Sequence, residues 1–150
     1  MEDQRPKTIE HIAELSKSLK VFAHELHYRS LLHDQSKLYS PEREIFNEYT
    51  PKLQATTYGS DEYKKYLSEM KVGLDRHYAV NRHHPEHFKN GINGMNLVDL
   101  VEMFCDWLAA TKRHADGDIS RSIELNQKRF EYSDDLKMIL QNTVDMIRDK

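Results

Sequence analysis

The sequence predicts an all-α protein, a single-domain helical bundle of five to seven helices that spans residues 1–150. Apolar residues recur every three or four positions along nearly the whole chain, as in helices that bury one face. Capping residues and prolines interrupt this pattern at intervals typical of helix ends. No segment shows the apolar–polar alternation of a β-strand. At 150 residues, the chain is long enough to bury a core without disulfide bonds.

The first predicted helix has about six turns. Its apolar stripe consists of Ile9, Ile12, Leu15, Leu19, Phe22 and Leu26. A short apolar segment at residues 31–32 then leads to the His-Asp pair at residues 33–34.

Two further helices are predicted before residue 85. The Ser-Pro-Glu sequence at residues 40–42 predicts a helix start, because a hydroxyl caps, proline fits the first turn and an acid suits the positive dipole end. Residues 54–59 predict a loop, and Ser-Asp-Glu at residues 60–62 starts the next helix. We expect that helix to reach His84, because Pro85 drives the residue before it out of the helical region. Its stripe comprises Tyr63, Leu67, Met70, Leu74, His77, Asn81 and His84.

The last third of the chain predicts three helices. Residues 85–95, with Gly91 and Gly94, form a connection to a strongly apolar helix at about residues 97–112. A turn at residues 116–118 leads to a helix near residues 121–130. Ser133 caps the last helix, whose stripe comprises Leu136, Ile139, Leu140, Thr143 and Ile147.

Composition excludes several classes of protein. A single cysteine, Cys105, allows no internal disulfide and favours a reducing, cytoplasmic location. Residues 1–7 are charged with no apolar signal region after them, and no run approaches the ~20 apolar residues of a membrane span. The net charge of −3 comes from interspersed signs and gives no basic surface for nucleic acid. Met and Tyr side chains at the surface would suit either a homodimer face or an ordinary surface.

Histidine is enriched in one segment. Four of the nine histidines fall between residues 77 and 87. The third predicted helix is apolar at first and then carries His77, Asn81 and His84 on the same face, with His83 adjacent. Either these are metal ligands, or the helix end emerges into solvent; the four together favour metal ligands.

Two other segments carry candidate ligands. His33 and Asp34 offer a nitrogen and an oxygen donor at adjacent positions, and the carboxylate could bind one metal or bridge two. A helix-end Asp beside a surface His is the alternative. The apolar helix at residues 97–112 carries a narrow acidic strip, Asp99, Glu102 and Asp106, which favours a polar pocket over a thin solvent-facing edge.

The first helix offers three histidines. His24 falls opposite the apolar stripe and is expected to be solvated, whereas His11 and His27 flank the stripe. His11 precedes His33 by 22 residues, whereas His27 precedes it by only six. We favour His11 as the ligand, because the longer spacing allows it to come from a separate helix, and His27 is the second choice.

Together these residues resemble the HD-domain phosphohydrolase superfamily. His11, then His33-Asp34, then Asp106, are similar to its H…HD…D signature, and LLHDQSK at residues 31–37 is similar to its LLHDxGK form. More narrowly, the chain resembles an uncharacterised bacterial and phage family of HD-like proteins with HDxSK, HxxxNxHH and EMxxDW motifs, the first of them followed by a Glu, here Glu42. These fall at residues 33–37, 77–84 and 102–107. The resemblance covers roughly residues 8–112.

The resemblance implies an HD-like helical fold with a metal site built from His11, His33, Asp34 and Asp106. His77, His83 and His84 are similar to the extra ligands of two-metal members, in which Asp34 would be the bridge. The implied cofactor is one or two divalent ions of Mn, Fe, Co, Ni or Zn, because mixed nitrogen and oxygen ligands suit these better than Mg. The chain lacks the motifs of the cyclic-dinucleotide phosphodiesterases and guanosine tetraphosphate hydrolases.

The implied function is a metal-dependent phosphohydrolase, either a phosphomonoesterase or a phosphodiesterase, acting on a nucleotide or another small phosphate ester. Asp34 or Glu102 would orient the attacking water or move its proton, and Lys37 would assist at the phosphate.

Further residues are expected to bind the substrate. Arg82 and Asn81 are candidates beside the histidines. Ser122, Asn126 and Arg129 share one helix face at spacings of four and three, and would form an opposite wall unless they are ordinary surface.

Three alternatives stay open. HD-type folds also host di-iron oxygenases, whose ligands His77 and His84 would complete. A non-catalytic nucleotide- or protein-binding module is the second, although acids kept on an apolar helix argue against it. A structural zinc site is the third, although such sites usually rely on cysteine.

Overall fold

A computed structural model describes residues 3–57, 60–113 and 117–148. These residues form seven α-helices joined by turns and short 3₁₀ segments, with no strand among them, which confirms the all-α prediction. The chain divides into two units, residues 1–33 and 34–150. No helix within the described ranges is long and apolar enough to cross a membrane.

The first unit is one continuous helix, α1 (Arg5–Leu32). The predicted first helix was too short: α1 has 28 residues and includes the apolar pair at residues 31–32. No glycine or proline follows Leu26 in this segment, so nothing stops the helix earlier. It ends at His33, whose N–H donates to the carbonyl oxygen of Arg29 at 2.9 Å.

The second unit begins with α2 (Glu42–Ala55), α3 (Asp61–Glu69) and α4 (Lys71–Val80). The predicted cap of α3 is confirmed, because the Ser60 hydroxyl accepts from the Tyr63 N–H at 3.1 Å. The predicted cap of α2 is wrong: the N-cap residue is Pro41, and no side chain caps the helix. The predicted loop at residues 54–59 begins after Ala55, and residues 58–59 lie outside the described ranges.

The single helix predicted for residues 60–84 is two helices that end four residues earlier. The break between them falls at Met70, whose side chain is buried. The end of α4 is set by Asn81, whose side-chain amide and backbone N–H both reach the His77 carbonyl oxygen, at 2.9 and 3.0 Å. Such local bonding competes with helix continuation. His83 and His84 therefore lie in a turn.

Helices α2 and α4 approach closely at Gly73. A Cβ atom at residue 73 would lie 2.8 Å from Cγ2 of Ile45, which is closer than packed carbon atoms allow. The glycine therefore lets α4 lie against α2, and this contact brings the end of α4 near Glu42.

The unit is completed by α5 (Leu97–Thr111), α6 (Ile119–Phe130) and α7 (Asp134–Arg148). Asn96 and Asp99 form a capping box on α5. Asp118 caps α6 and starts it two residues before the predicted position. The predicted Ser133 cap of α7 is confirmed by its bond from the Leu136 N–H at 3.2 Å. Residue 116 of the predicted turn lies outside the described ranges.

Helices α5 to α7 enclose the hydrophobic core of the second unit. Its buried members are Ile92, Met103, Phe104, Ile119, Ile123, Tyr132, Leu140 and Val144. The Tyr132 hydroxyl donates to the Ile123 carbonyl oxygen at 2.6 Å, and burial raises the pKa of Tyr132 to about 12. This core fixes α5, which carries two acids of the site described below.

We expect Gly73→Val to lower the free energy of unfolding by about 1–3 kcal/mol, because the added methyl groups collide with Ile45. Denaturant titration of the purified proteins measures the change. The neighbouring Val72 is 70% exposed, so Val72→Ala serves as a control with an effect within about 0.5 kcal/mol. An unchanged midpoint for Gly73→Val would show that α2 and α4 do not meet there.

Candidate metal centre

The site begins at Asp34, the first residue of the second unit. Asp34 has a backbone φ of +58°, in the left-handed region that few residues other than glycine adopt. Strained conformations of this kind cluster at functional sites. The turn is held by the Lys37 N–H, which donates to the Asp34 carbonyl oxygen at 2.9 Å.

Two histidine rings lie against the Asp34 carboxylate, and a third lies against one of them. Nε2 of His77 lies 3.3 Å from Oδ1 of Asp34, and Nε2 of His83 lies 3.5 Å from the same oxygen. Nε2 of His77 lies 2.9 Å from Nε2 of His84. The four donor atoms contributed by these residues all fall within 4.8 Å of one another. His77 comes from the last turn of α4, and the other two histidines come from the turn that follows it.

These separations fit a single metal ion. Ligand atoms about 2.1 Å from one ion lie about 3.4 Å apart in a tetrahedron and about 3.0 Å apart at adjacent octahedral positions. The three separations between 2.9 and 3.5 Å fall in this range. Three imidazole nitrogens with one carboxylate oxygen suit Mn, Fe, Co, Ni or Zn. The residues present therefore fit the implied cofactor.

A buried carboxylate orients His77. Glu42, in the first turn of α2, is fully buried, and its Oε2 lies 3.0 Å from Nδ1 of His77. The Ser36 hydroxyl donates to the same carboxylate oxygen at 2.7 Å. A proton on Nδ1 leaves the Nε2 lone pair directed at the centre, as in the carboxylate–histidine pairs behind metal ligands.

A second carboxylate stands behind His83 in the same way. Oε1 of Glu102, on α5, lies 3.3 Å from Nδ1 of His83, and both side chains are largely buried. Two histidines thus repeat one arrangement, with Nδ1 beside a glutamate and Nε2 beside Asp34. A surface cluster of histidines would have no reason to repeat it.

His84 is held in the neutral form. Burial is the largest cause that lowers its pKa, to about 3, and the neighbouring His83 and His77 lower it further. The charge of Asp106 acts in the opposite direction. A neutral imidazole is the form that binds a metal.

The negative charges at the centre exceed the positive ones. Lys37 Nζ pairs with Oδ2 of Asp34 at 2.7 Å, and Arg76 Nε lies 3.6 Å from Oε1 of Glu42. Asp34, Glu42 and Glu102 thus outnumber these two cations, and Asp106 adds a further acid near His84. The excess favours a bound cation.

A cavity of about 480 Å³ opens beside the centre. His84 and Asp106 line one side of it. The lining also contains the three α6 residues predicted from their spacing, Ser122, Asn126 and Arg129. We call this space the His84 cavity.

Several other candidates occupy different positions from those expected. Arg82 forms a bidentate ion pair with the buried Asp99 at 3.0 and 2.8 Å, so both residues stabilise the start of α5, and neither is among the residues that line the His84 cavity. Asn81 lies within 2.9 Å of Nδ1 of His77, and thus supports a ligand. The three acids of the predicted strip therefore have different roles. Asp99 stabilises the start of α5, whereas Glu102 and Asp106 face the site.

The two ligands predicted from the first unit, His11 and His33, do not lie close enough to bind the same metal ion. His11 lies on α1, and 22 residues of continuous helix place it about 33 Å along the axis from His33. One ion cannot contact both in a single chain. Only a separate helix could bring His11 to the same ion, and α1 has no break that would provide one. His27, by the same measure, lies about 9 Å from His33.

Sequence reasoning left Glu42 and Ser36 out of the site. An acid in the first turn of a helix is common and is explained by the helix dipole. Apart from its place after the HDxSK motif, only the contact between α2 and α4 distinguishes Glu42 from other such acids. The Glu42 side chain has no solvent exposure, whereas Glu44, two residues later on the same helix, is exposed.

The model of a family of unknown function, DUF5662, matches residues 1–146. The chain belongs to DUF5662. The match covers every residue of the centre, so the cluster lies within the part of the chain that defines membership of DUF5662. No curated protein matches the chain. No solved structure matches it either.

We expect Glu42→Gln and Glu102→Gln each to weaken metal binding by about 10–100-fold. Each glutamate contacts the Nδ1 atom of a candidate metal-binding histidine, and an amide orients that ring less strongly than a carboxylate does. Competition titration with a chromogenic chelator measures the affinity for Zn²⁺ or Co²⁺. The exposed Glu44 lies on the same helix as Glu42, so Glu44→Gln is the matched control. Equal affinities in all four proteins would contradict the orienting roles.

The stability of the metal-free protein should fall as the pH is lowered from 6.5 towards about 3. In this window the unfolded His84 binds a proton and the folded His84 does not, so acid favours the unfolded state. Denaturant midpoints measured across the window should depend less on pH in His84→Gln than in the wild type. His24→Gln, on α1, should keep the wild-type dependence. A His84→Gln profile parallel to the wild type would contradict the lowered pKa.

Proposed function

We propose that the chain is a metal-dependent phosphohydrolase of the HD type, acting on a mono- or diester of phosphate, nucleotides included. The observation that carries the proposal is the convergence of Asp34 with three histidines, two of them supported by buried glutamates. Structural stability alone does not require three imidazoles clustered beside one carboxylate, since their burial is costly without a ligand.

The four residues Asp34, His77, His83 and His84 would hold one divalent transition metal. Such an ion lowers the pKa of a water and polarises a phosphoryl oxygen, so that hydroxide is available near neutral pH. Glu42 and Glu102 keep His77 and His83 in the tautomer that directs Nε2 to the centre.

Other side chains are suited to the phosphate and the leaving group. The Lys37 ammonium, 2.7 Å from Asp34, places a positive charge where a phosphate would approach. Asp106 lies near His84 in the wall of the His84 cavity, where it is suited to move a proton to the leaving oxygen. Ser122, Asn126 and Arg129 offer further hydrogen-bond donors from the lining of the same cavity.

Elemental analysis of the protein purified without added metal tests the proposal first. We expect one transition-metal ion per chain in the wild type and a loss of metal in Asp34→Ala and His84→Ala, with helix content unchanged by circular dichroism. Phosphate release from a panel of phosphomonoesters and phosphodiesters should disappear with the metal. His24→Ala should retain both the metal and the activity.

Other outcomes would contradict the proposal in distinct ways. No metal in any sample after reloading with Mn or Fe would indicate a binding module. Iron with oxygen-dependent turnover and no phosphate release would indicate an oxygenase. Full metal content in Asp34→Ala would contradict the ligand set itself.

A further inference from the structure

A second cavity, of about 460 Å³, lies among α2, α3 and α4. We call it the α2–α4 cavity. Its walls are mainly apolar, with Phe46, Leu53, Leu67, Met70 and Leu74 among the lining residues. These side chains form the interior faces of the three helices, and the centre described above uses none of them.

The two cavities share wall residues. Tyr78 and Arg129 line both the His84 cavity and the α2–α4 cavity. Tyr78 directly follows the ligand His77, and its ring centroid lies 4.9 Å from that of His84. The α2–α4 cavity thus begins one side chain away from the candidate metal ligands.

We propose that the α2–α4 cavity receives the apolar part of the substrate, so that the substrate is a phosphate ester of an apolar alcohol with a medium-length alkyl chain. This inference rests on the proposed function, because it places the phosphate group of the same molecule at Asp34 and the histidines. It goes beyond that function by naming the part of the substrate that is not phosphate.

The chemistry of the walls favours an alkyl group over a nucleobase. Recognition of a base requires hydrogen-bond donors and acceptors placed around the ring edge. The polar side chains in the lining besides the two shared residues are Thr50, Tyr63 and Lys64. Lys64 is 69% exposed and lies 3.6 Å from Asp61, so its ammonium faces solvent at the rim. Apolar walls select a ligand by the hydrocarbon surface that it buries.

Arg129 is placed to separate the two ends of such a molecule. Its guanidinium pairs with Glu86 at 2.6 Å and lies 4.7 Å from the Phe130 ring centroid. Because Arg129 lines both cavities, this cation stands where the phosphate side and the apolar side of the combined space meet. A molecule with an anionic head and an apolar chain matches this order.

Isothermal titration calorimetry of the metal-containing protein with butyl, hexyl and octyl phosphate tests the inference. All ligands are used below their micellar concentrations. We expect the dissociation constant to fall by about fourfold for each added methylene group, until the cavity is filled. Phosphates of oligoethylene glycol chains of the same length are the matched polar ligands and should show no such trend.

Two variants test whether the alkyl chain of the ligand binds in the α2–α4 cavity. Leu67→Trp on α3 and Thr50→Trp on α2 each fill the α2–α4 cavity from a different wall, and should remove the dependence on chain length. Ile139→Trp adds the same ring at a residue of α7 that is 60% exposed, and should retain it. Circular dichroism checks that the variants fold. If one of the two filling variants does not fold, the other still tests the inference.

The outcomes distinguish this inference from the proposed function. Tighter binding of longer alkyl phosphates without phosphate release would support the cavity assignment and contradict the hydrolase. Phosphate release with no dependence on chain length would support the hydrolase and overturn the cavity assignment. Tighter binding of adenosine monophosphate than of octyl phosphate, or unchanged chain-length dependence in both filling variants, would also overturn the assignment.

Discussion

The second unit is organised around the need to satisfy a group of buried polar side chains. Imidazole rings and carboxylates lose their hydration in the interior, and this costs several kcal/mol for any that lack a partner. Glu42 comes from α2, His77 from α4 and Glu102 from α5, so the contacts that satisfy them join three helices. The positions of these helices and the geometry of the centre therefore depend on each other.

Local signals in the sequence are sufficient for much of the fold. The starts of α3 and α7 follow from single capping hydroxyls, and the extent of α5 follows from its apolar pattern. The break at Met70 has no such signal, since methionine is a good helix former. The Met70 side chain is buried at this break, and its burial depends on contacts distant in sequence.

The candidate site shows the same division between local and long-range information. A spacing of seven predicts that His77 and His84 share one helix face, which would leave them about 10 Å apart along the axis. The two Nε2 atoms lie 2.9 Å apart because the chain turns back at Asn81. The sequence predicts both residues on one helix face, whereas the structure brings them together across a turn. The roles of Glu42 and Arg82 depend on partners 35 and 17 residues away, which no local pattern encodes.

The composition of the His84 cavity has a practical consequence. The chain contains a single tryptophan, and that residue, Trp107, lines this cavity beside Asp106. Its ring is nearly parallel to that of Phe130, with an angle of 3° between the planes. Indole emission changes in wavelength and intensity with local polarity and quenching. The protein therefore carries its own optical reporter, and entry of a molecule into the cavity is observable in unlabelled wild-type protein without competing signals from other indoles.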